Sequence, residues 1–415
     1  MKILIIDYDA GTALFGGDTH AFDLAEEWKK CGGKPLIVAA DYSYLRKRNP
    51  EKAQVGQIQE QEGIPFLWVR TPAAADREKK ILRGARPFEK GIRRSMPIIV
   101  DWKPDVVMLS SRHLLGGRIA VKIAKELGVP LVFDVRRIYP EHLQEVLEYA
   151  PGHYLIRRFY RMQKKLYKKS DRVLSIYSRL AEHMAALGVD PQKFSPVPQA
   201  LSGHFLREHR PPQRHMDFVD RYREKGYFIC LAGGDIDKDR GLELLIESAA
   251  LAPREVLFIL AGNGVFKSQL KRQVKERGLA NVLFLDGVQP EQLVDLYTEA
   301  DCVYVSLPPY RWHRYGADTS RILLAMAGGV PVVCQADIPQ NPVDAAECGA
   351  VVPPKNAQDL AKALTKIAIL PKEKRMEMGQ KGKSYVLERA GIAGQAADYW
   401  RALQKAATEK KRDGQ

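Results

Sequence analysis

Short apolar runs that alternate with segments of helical periodicity constrain the fold of this chain more than any other feature. Many of these runs are continuous rather than alternating, as between Val256 and Leu260. Continuous apolar strands are typical of parallel sheets covered on both faces, and strands that alternate with helices imply crossover connections. The pattern therefore predicts an α/β fold with doubly wound parallel sheets. The predicted strands lie at residues 2–6, 35–39, 65–69, 105–110, 130–134, 172–177, 227–232, 256–261, 282–286, 302–306, 331–334 and 350–352.

The length of 415 residues favours two domains, because single hydrophobic cores rarely grow beyond about 250–300 residues. Residues 203–226 hold no strand pattern and contain a polar stretch marked by Pro211 and Pro212, as linkers do. We therefore expect an N-terminal domain over residues 1–205, a C-terminal domain over residues 225–385 and a last helix over residues 386–408. Two polar, poorly periodic stretches are expected to form irregular insertions: residues 43–62 and 71–96.

The cysteines indicate reduced thiols, and the lengths of the apolar segments indicate that no helix spans a membrane. The five cysteines include no Cys-x-x-Cys pair, and three of them lie in apolar strand-like runs. This usage is typical of reduced core thiols and favours a cytoplasmic location. No apolar run approaches the ~20 residues that a membrane-spanning helix needs. The N-terminus is interpreted as a first strand, since it lacks the longer apolar region and cleavage site of a signal peptide.

The charge of the chain predicts anionic partners. It carries 65 basic and 50 acidic residues, a formal net charge of +15, and such a field attracts phosphates or an acidic membrane face. The basic residues are densest at 153–172, where Leu155, Phe159, Met162 and Leu166 are spaced as one apolar helix face. This segment is either a packed helix with a solvated basic face or a site that docks on anionic lipid. Nucleic acid is not expected, because the sequence has no helix-turn-helix, zinc-finger or RNP-type pattern.

Glycines follow several of the predicted strands. Gly16 and Gly17 come after the first strand and precede a helical segment, and Gly262-Asn263-Gly264 follows the strand at 256–261. Such glycines let backbone N–H groups approach an anion at a helix N-terminus. The same residues also serve turn geometry alone, so each loop has a functional and a structural interpretation.

The loop after the strand at 227–232 is acidic. Asp235, Asp237 and Asp239 form two Asp-x-Asp pairs, a spacing that can hold a divalent metal with a diphosphate. The loop fails as an EF-hand, because Arg240 stands at the position of the required glycine and Ile246 at that of the last ligand. The alternative is an acidic loop that caps the following helix.

A helix of small residues runs through Gly328, Gly329 and Pro331 into a buried strand. This segment and the earlier ones, in their order along the chain, resemble the retaining family-4-type glycosyltransferases of the GT-B fold. The resemblance begins at Gly16-Gly17 and continues through residues 132–141, 170–176, 241–249, 260–264, 285–288 and 325–333. It implies two Rossmann-like domains that face each other across a cleft. The N-terminal domain would hold the acceptor, the C-terminal domain a nucleotide-diphosphate sugar, and the last helix would cross back to the N-terminal domain.

The resemblance also implies roles for particular residues. Arg240 and Arg321 would stabilise the leaving diphosphate, and Arg136 would line the cleft near the reacting carbon. No metal or other cofactor is required if these cations suffice. The donor-binding positions implied by the resemblance are Gly16, Gly17, Lys238, Gly262, Asn263, Gly264, Gly287, Val288, Asp318, Thr319 and Ser320.

Four positions depart from the family pattern. Asp235 stands where an arginine is usual, and Arg137 replaces an aspartate. Gly316 and Leu324 occupy the positions of a glutamate pair that binds the sugar and the ribose. A carboxylate that accepts two ribose hydroxyls makes charge-assisted hydrogen bonds worth about 1.5–3 kcal/mol each, and leucine makes none.

Three functions follow from these observations. The first is a glycosyltransferase of polysaccharide or cell-envelope biosynthesis at the cytoplasmic face of a membrane, which transfers sugar with retention to a glycan or lipid-linked acceptor. The second is a catalytically inactive GT-B module that binds a glycan or protein partner, favoured by Asp235, Gly316 and Leu324. The third is a metal-dependent GT-A-type transferase that uses Asp235 and Asp237, disfavoured by the two repeated halves.

Overall fold

The computed structural model describes residues 1–50, 56–72 and 82–413, with Leu82 and Asp413 described by their backbones alone. The chain divides into two compact units. Unit 1 comprises Met1–Pro198 and Ile392–Gln415, and unit 2 comprises Gln199–Gly391. Each unit has its own sheet, which confirms the prediction of two Rossmann-like α/β domains. A GT-A-type architecture is therefore wrong for this chain, since the GT-A fold has a single Rossmann-like sheet.

Unit 1 is built on an eight-stranded sheet of order β3-β4-β2-β1-β5-β6-β7-β8. All neighbouring strands are parallel except β3 and β4, which are antiparallel. The strands are β1 (Lys2–Ile6), β2 (Lys34–Ala40), β3 (Ile58–Gln61), β4 (Ile64–Val69), β5 (Val106–Ser111), β6 (Leu131–Val135), β7 (Arg172–Ser175) and β8 (Phe194–Pro196). The helices are α1 (His20–Lys30), α2 (Leu82–Arg94), α3 (Met96–Trp102), α4 (Gly117–Leu127), α5 (Tyr139–Glu145), α6 (Tyr154–Lys169), α7 (Leu180–Ala186) and α16 (Ile392–Asp413).

Unit 2 is built on a six-stranded parallel sheet of order β11-β10-β9-β12-β13-β14. The strands are β9 (Phe228–Gly233), β10 (Val256–Ala261), β11 (Val282–Leu285), β12 (Cys302–Ser306), β13 (Val332–Gln335) and β14 (Gly349–Val352). The helices are α8 (Gln213–Arg223), α9 (Leu242–Ala249), α10 (Lys267–Glu276), α11 (Leu293–Thr298), α12 (Ser320–Ala327), α13 (Pro342–Ala346), α14 (Ala357–Ala368) and α15 (Lys372–Arg389).

The C-terminal helix α16 completes the core of unit 1. Tyr399, Leu403 and Ala406 are buried in the same apolar cluster as Trp28 of α1. The Trp28 indole N–H donates to the carbonyl of Ala396 at 2.8 Å. Unit 1 is therefore assembled from two separate stretches of the chain.

The structure corrects two expectations about the segments between strands. Residues 203–226, expected as the linker, belong to unit 2 and contain α8, whose His215 and Val219 are buried. The boundaries between the units instead lie after Pro198 and after Gly391 in the sequence. The predicted last helical stretch is divided between two helices, α15 and α16.

The expected insertions at 43–62 and 71–96 also contain regular structure. Residues 58–61 form β3, an antiparallel hairpin partner of β4. Residues 82–94 form α2, which buries Phe88 and Ile92. The parts at 51–55 and 73–81 lie outside the described residues. Within the residues that are described, no helix is long and apolar enough to span a bilayer.

Candidate functional sites

Unit 2 has a cavity of about 370 Å³ at the carboxyl ends of its strands. The sheet reverses its strand order between β9 and β12, and open α/β sheets bind ligands at this kind of switch point. The loop after β9, the 286–290 loop after β11, and helices α11 and α12 supply most of the cavity wall. Among the predicted site residues, the wall includes Arg240, Asn263, Gly287, Val288 and Arg321.

The glycines of the β10 loop pack against the β9 loop. A Cβ at Gly262 would lie 1.9 Å from the carbonyl oxygen of Gly234, and one at Gly264 would lie 2.3 Å from that of Ile236. The backbone N–H of Ile236 donates to the carbonyl of Asn263 at 2.9 Å. Gly262 and Gly264 therefore allow two loops to touch, which is the structural interpretation of these glycines, and neither lines the cavity.

Two arginines give the cavity its positive charge. Arg240 donates from Nη2 to the Asp235 carboxylate at 3.0 Å. Arg321 has no carboxylate within ion-pairing distance among the residues that the structure describes. Burial, and after it the charge of Arg240, lowers the pKa of Arg321 from its usual value. The cavity thus holds two cations that repel each other, and an anionic ligand between them would relieve that repulsion.

The rest of the wall is mostly apolar or neutral. Leu324 lines the cavity and places an aliphatic side chain where the family pattern has a carboxylate. Burial raises the pKa of Tyr297 to about 12, so its hydroxyl stays neutral and donates to the carbonyl of Gly233 at 3.3 Å. Asp235 is the one acid in this wall among the described residues. Gly316 is buried with a φ of +123° and does not line the cavity.

Four other predicted residues of unit 2 lie beside the cavity rather than in its wall. Lys238 is exposed in the short turn before α9. Asp318, Thr319 and Ser320 lie at the start of α12, where the Asp318 carboxylate accepts from the backbone N–H of Ser320 at 3.0 Å. Their roles in donor binding stay predictions.

In unit 1, Gly16 and Gly17 shape the loop between β1 and α1. Both have positive φ, +68° and +85°. A Cβ at Gly17 would lie 2.7 Å from the carbonyl oxygen of Leu45. The glycines thus let the loop pack against the segment after β2, and any contact with a donor stays a prediction.

Arg136 belongs to a buried ionic cluster at the carboxyl ends of β1, β5 and β6. Its guanidinium lies 3.5 Å from the Asp18 carboxylate, and Arg112 lies 2.8 Å from the same carboxylate. Burial opposes ionisation of Asp18, but the two guanidinium groups outweigh it and hold the pKa of Asp18 well below its ordinary value. Asp18 is therefore a charged anchor that orients both arginines.

A second carboxylate in the cluster is linked to the C-terminal helix. Asp134 accepts a hydrogen bond from the Tyr399 hydroxyl at 2.7 Å and lies 3.4 Å from the imidazole of His20. Burial, followed by the charge of Arg136, lowers the pKa of His20, so the ring is neutral near pH 7. The buried carboxylate is thus held by a neutral donor from a distant part of the sequence.

Sequence reasoning found Arg136 but missed its neighbours in the cluster, Asp18, His20, Arg112 and Asp134. A usable signal was present, because these polar residues lie at or just beyond predicted strand ends, or in the first glycine loop. The hydrogen bond from Tyr399 had no such signal, since α16 lies far along the chain.

Comparison with known families agrees with this architecture. The family model for glycosyl transferases group 1 matches residues 217–385, and the model for a glycosyl transferase 4-like domain matches residues 15–200. The chain belongs to the family-4-type glycosyltransferases of the GT-B fold. The predicted family, fold class and enzyme class are confirmed. No curated protein sequence matches the chain.

Several solved structures share the fold at low sequence identity. Sucrose-phosphate synthase from Thermosynechococcus elongatus is 18% identical, with a TM-score of 0.73 over 98% of this chain and 100% of its own. Anabaena HepE in complex with UDP and glucose is 15% identical, with a TM-score of 0.66 over 98% of this chain and 100% of its own. A glycosyltransferase from Rickettsia africae is 14% identical, with a TM-score of 0.68 over 98% of each chain.

Proposed function

We propose that the cavity of unit 2 binds the nucleotide-diphosphate part of a sugar donor and that the sugar is transferred with retention of configuration. The observation that carries this proposal is the half-buried Arg321 side chain, which has no carboxylate partner in the described chain and faces the same cavity as Arg240. A diphosphate supplies the negative charge that Arg321 lacks and that Arg240 has only from the exposed Asp235. The HepE structure in complex with UDP-glucose supports a donor of this class.

The cavity is proposed to promote the reaction mainly by electrostatic stabilisation. As the sugar leaves, negative charge grows on the diphosphate, and preorganised cations in a partly desolvated site stabilise that charge. With retention, the new bond forms on the face of the sugar that the diphosphate leaves. The cations that hold the diphosphate therefore lie on the acceptor's side as well. Arg136, oriented by Asp18, is the residue of unit 1 proposed to contact the reacting region.

Calorimetric titration with a panel of nucleoside diphosphates and their sugars tests donor binding. Arg321→Ala is expected to weaken the affinity by about 1.5–3 kcal/mol, the range for a hydrogen bond to a charged group, and Arg240→Ala to act in the same direction. Arg254→Ala is the matched control, since this exposed arginine lies before β10, at the opposite edge of the sheet from the cavity. Unchanged affinity in Arg321→Ala, or equal losses in all three variants, would refute the assignment.

The acceptor is proposed to be a glycan or a lipid-linked sugar at the cytoplasmic face of a membrane. Helix α6 supports this, because its Phe159 and Leu166 are buried in unit 1 while Arg157, Arg161 and Lys168 are exposed. The basic outer face is available to an anionic surface. Transfer assays with lipid-linked and water-soluble glycans would separate the two acceptor classes.

A donor-binding protein without catalysis is the second candidate, and Leu324 in the cavity wall favours it. It predicts that nucleoside diphosphates bind while neither transfer nor hydrolysis of the sugar donor is detected. A hydrolysis assay with each donor that binds decides between the two functions, because a catalytic site slowly transfers sugar to water.

A further inference from the structure

We propose that a groove on unit 1, between α2, α4 and α6, binds the phosphate headgroup and first chain carbons of an anionic phospholipid in a membrane surface. The groove encloses about 300 Å³. A second hollow of about 230 Å³ shares Arg118 and Met162 with it, so the two are continuous. The proposal rests on the proposed function only in that a lipid-linked acceptor would lie in the same bilayer.

The floor of the groove is apolar. Leu114, Leu115 and Phe159 are buried beneath it, and Leu155 and Met162 are half-buried along its wall. Helices α4 and α6 approach each other closely because α4 begins with a glycine. A Cβ at Gly117 would lie 2.8 Å from a methyl carbon of Leu166. The floor is therefore a fixed feature of the helix packing rather than a chance gap between side chains.

The rim of the groove is strongly basic. Arg83 and Arg86 come from α2, Arg118 from α4 and Arg158 from α6, and all four side chains are exposed. Within residues 1–50, 56–72 and 82–413, none of the four forms an ion pair. Glu89 is the one carboxylate that lines the groove in that part of the chain. Four guanidinium groups thus surround an apolar floor with a single opposing charge.

This combination fits an amphiphile better than the other anions that a basic surface attracts. Guanidinium groups bind phosphate oxygens in bidentate fashion. The basic rim by itself would therefore bind inorganic phosphate. An apolar floor contributes only if the ligand carries a hydrocarbon part, and each buried CH₂ adds about 0.8 kcal/mol. A phospholipid supplies both parts, and its neighbours in an anionic bilayer face the remaining basic residues of α6.

Short-chain lipids that stay monomeric in water test the groove on the full-length protein. We expect dihexanoyl phosphatidylglycerol to bind, dioctanoyl phosphatidylglycerol to bind more tightly, and dihexanoyl phosphatidylcholine and inorganic phosphate to bind at least about tenfold more weakly. Arg118→Glu and Arg158→Glu should each weaken phosphatidylglycerol binding at least about tenfold. Arg161→Glu is the matched control, because Arg161 is exposed on the same helix but does not line the groove.

Each result has a stated meaning. Equal binding of the two headgroups, no effect of chain length, or equal losses in Arg158→Glu and Arg161→Glu would overturn the groove and leave general electrostatic attraction. Circular dichroism and the melting temperature of each variant report on folding. If Arg158→Glu melts at a lower temperature than the native protein, Arg86→Glu takes its place. Lipid binding without any nucleotide binding would refute the proposed function alone, and the reverse result would refute the groove alone.

Discussion

Asp235 faces the cavity of unit 2 at the position where the family pattern has a cation, and it pairs with Arg240. The Asp235 side chain is 74% exposed and that of Arg240 is 23% exposed, so the pair is accessible to a ligand. Exposed pairs contribute about 0.2–1 kcal/mol, less than a hydrogen bond from a guanidinium to a charged group. A diphosphate is therefore expected to compete for Arg240.

Replacing the carboxylate with an amide of the same shape tests this competition. Asp235→Asn is expected to tighten nucleoside-diphosphate binding by up to about 1 kcal/mol, because a negative charge beside the phosphates is removed. Titration calorimetry at low and high salt measures the effect, which should shrink as salt screens the charge. Weaker binding in the variant would mean instead that Asp235 orients Arg240 for the ligand.

His313 gives the folded state a defined pH dependence. The residue is buried in the turn before α12, and burial, reinforced by Arg321, lowers its pKa to about 4. Unfolded histidine binds a proton below about pH 6.5, so protons favour the unfolded state between about pH 6.5 and 4. The histidine should therefore cost the fold up to ~3 kcal/mol as the pH falls through this window.

His313→Gln removes the titrating group while keeping a polar side chain. The melting temperature of the variant is expected to fall less between about pH 7 and 4.5 than that of the native protein. Below about pH 4 the two should fall in parallel, since carboxylates such as Asp18 then bind protons in the unfolded chain but not in the fold, which favours unfolding equally in both proteins. Equal slopes in the upper window would show that His313 is not protected from protons in the fold.

At the scale of elements, the contact between the β9 and β10 loops depends on glycine. Gly262→Ala places a methyl group against the Gly234 carbonyl and is expected to destabilise the protein by about 1–3 kcal/mol, the cost of overpacking. Gly394→Ala is the control, because this exposed helical glycine of α16 has open space around it. It should stabilise the protein by about 0.5–1 kcal/mol through helix propensity. Chemical denaturation measures both, and similar effects of the two changes would refute the packing argument.

The hydrogen bond from α16 to Asp134 makes a second prediction for an element. Tyr399→Phe leaves the ring packed but removes a donor from a buried carboxylate, which is expected to cost about 1–3 kcal/mol. Tyr385→Phe is the control, since the Tyr385 hydroxyl forms no hydrogen bond with any residue that the structure describes. Denaturant unfolding of both variants gives the difference. An equal cost in both would show that Asp134 does not depend on Tyr399.

The sequence predicted elements well where the signal was local. The strands at 2–6, 256–261 and 302–306 have the predicted bounds, because runs buried on both faces must be continuously apolar. β3 was missed because this edge strand has one apolar residue, Ile58, followed by three polar residues, and it is held by its hairpin partner β4. The helix α2 was missed because Pro87 and many charges mask its few buried residues.

At the scale of the whole molecule, unit 1 depends on the end of the chain. Removing residues 392–415 takes Tyr399, Leu403 and Ala406 out of its core and uncovers Trp28. Burial of each large apolar side chain is worth about 1.5–3 kcal/mol, and the total stability of a domain is about 5–15 kcal/mol. The truncated protein is expected to bind a dye for exposed apolar surface. It should also retain nucleoside-diphosphate binding, because every residue of the cavity remains.

This expectation is checked by dye fluorescence and titration on the same sample. A truncated protein with native circular dichroism and no dye binding would show that unit 1 folds without α16. Loss of nucleotide binding together with intact unit 1 would show that the cavity of unit 2 depends on the deleted residues.

The sequence by itself determined the class of fold and the family, because periodic burial and the order of glycine loops are local patterns that each segment carries alone. It also supplied Arg240 and Arg321 as cations of one cavity. Only the tertiary structure decided that Gly262 and Gly264 serve loop packing, that Asp18 and Arg112 surround Arg136, and that α16 belongs to unit 1. These facts depend on which distant residues meet at a sheet edge, and no local pattern encodes that meeting.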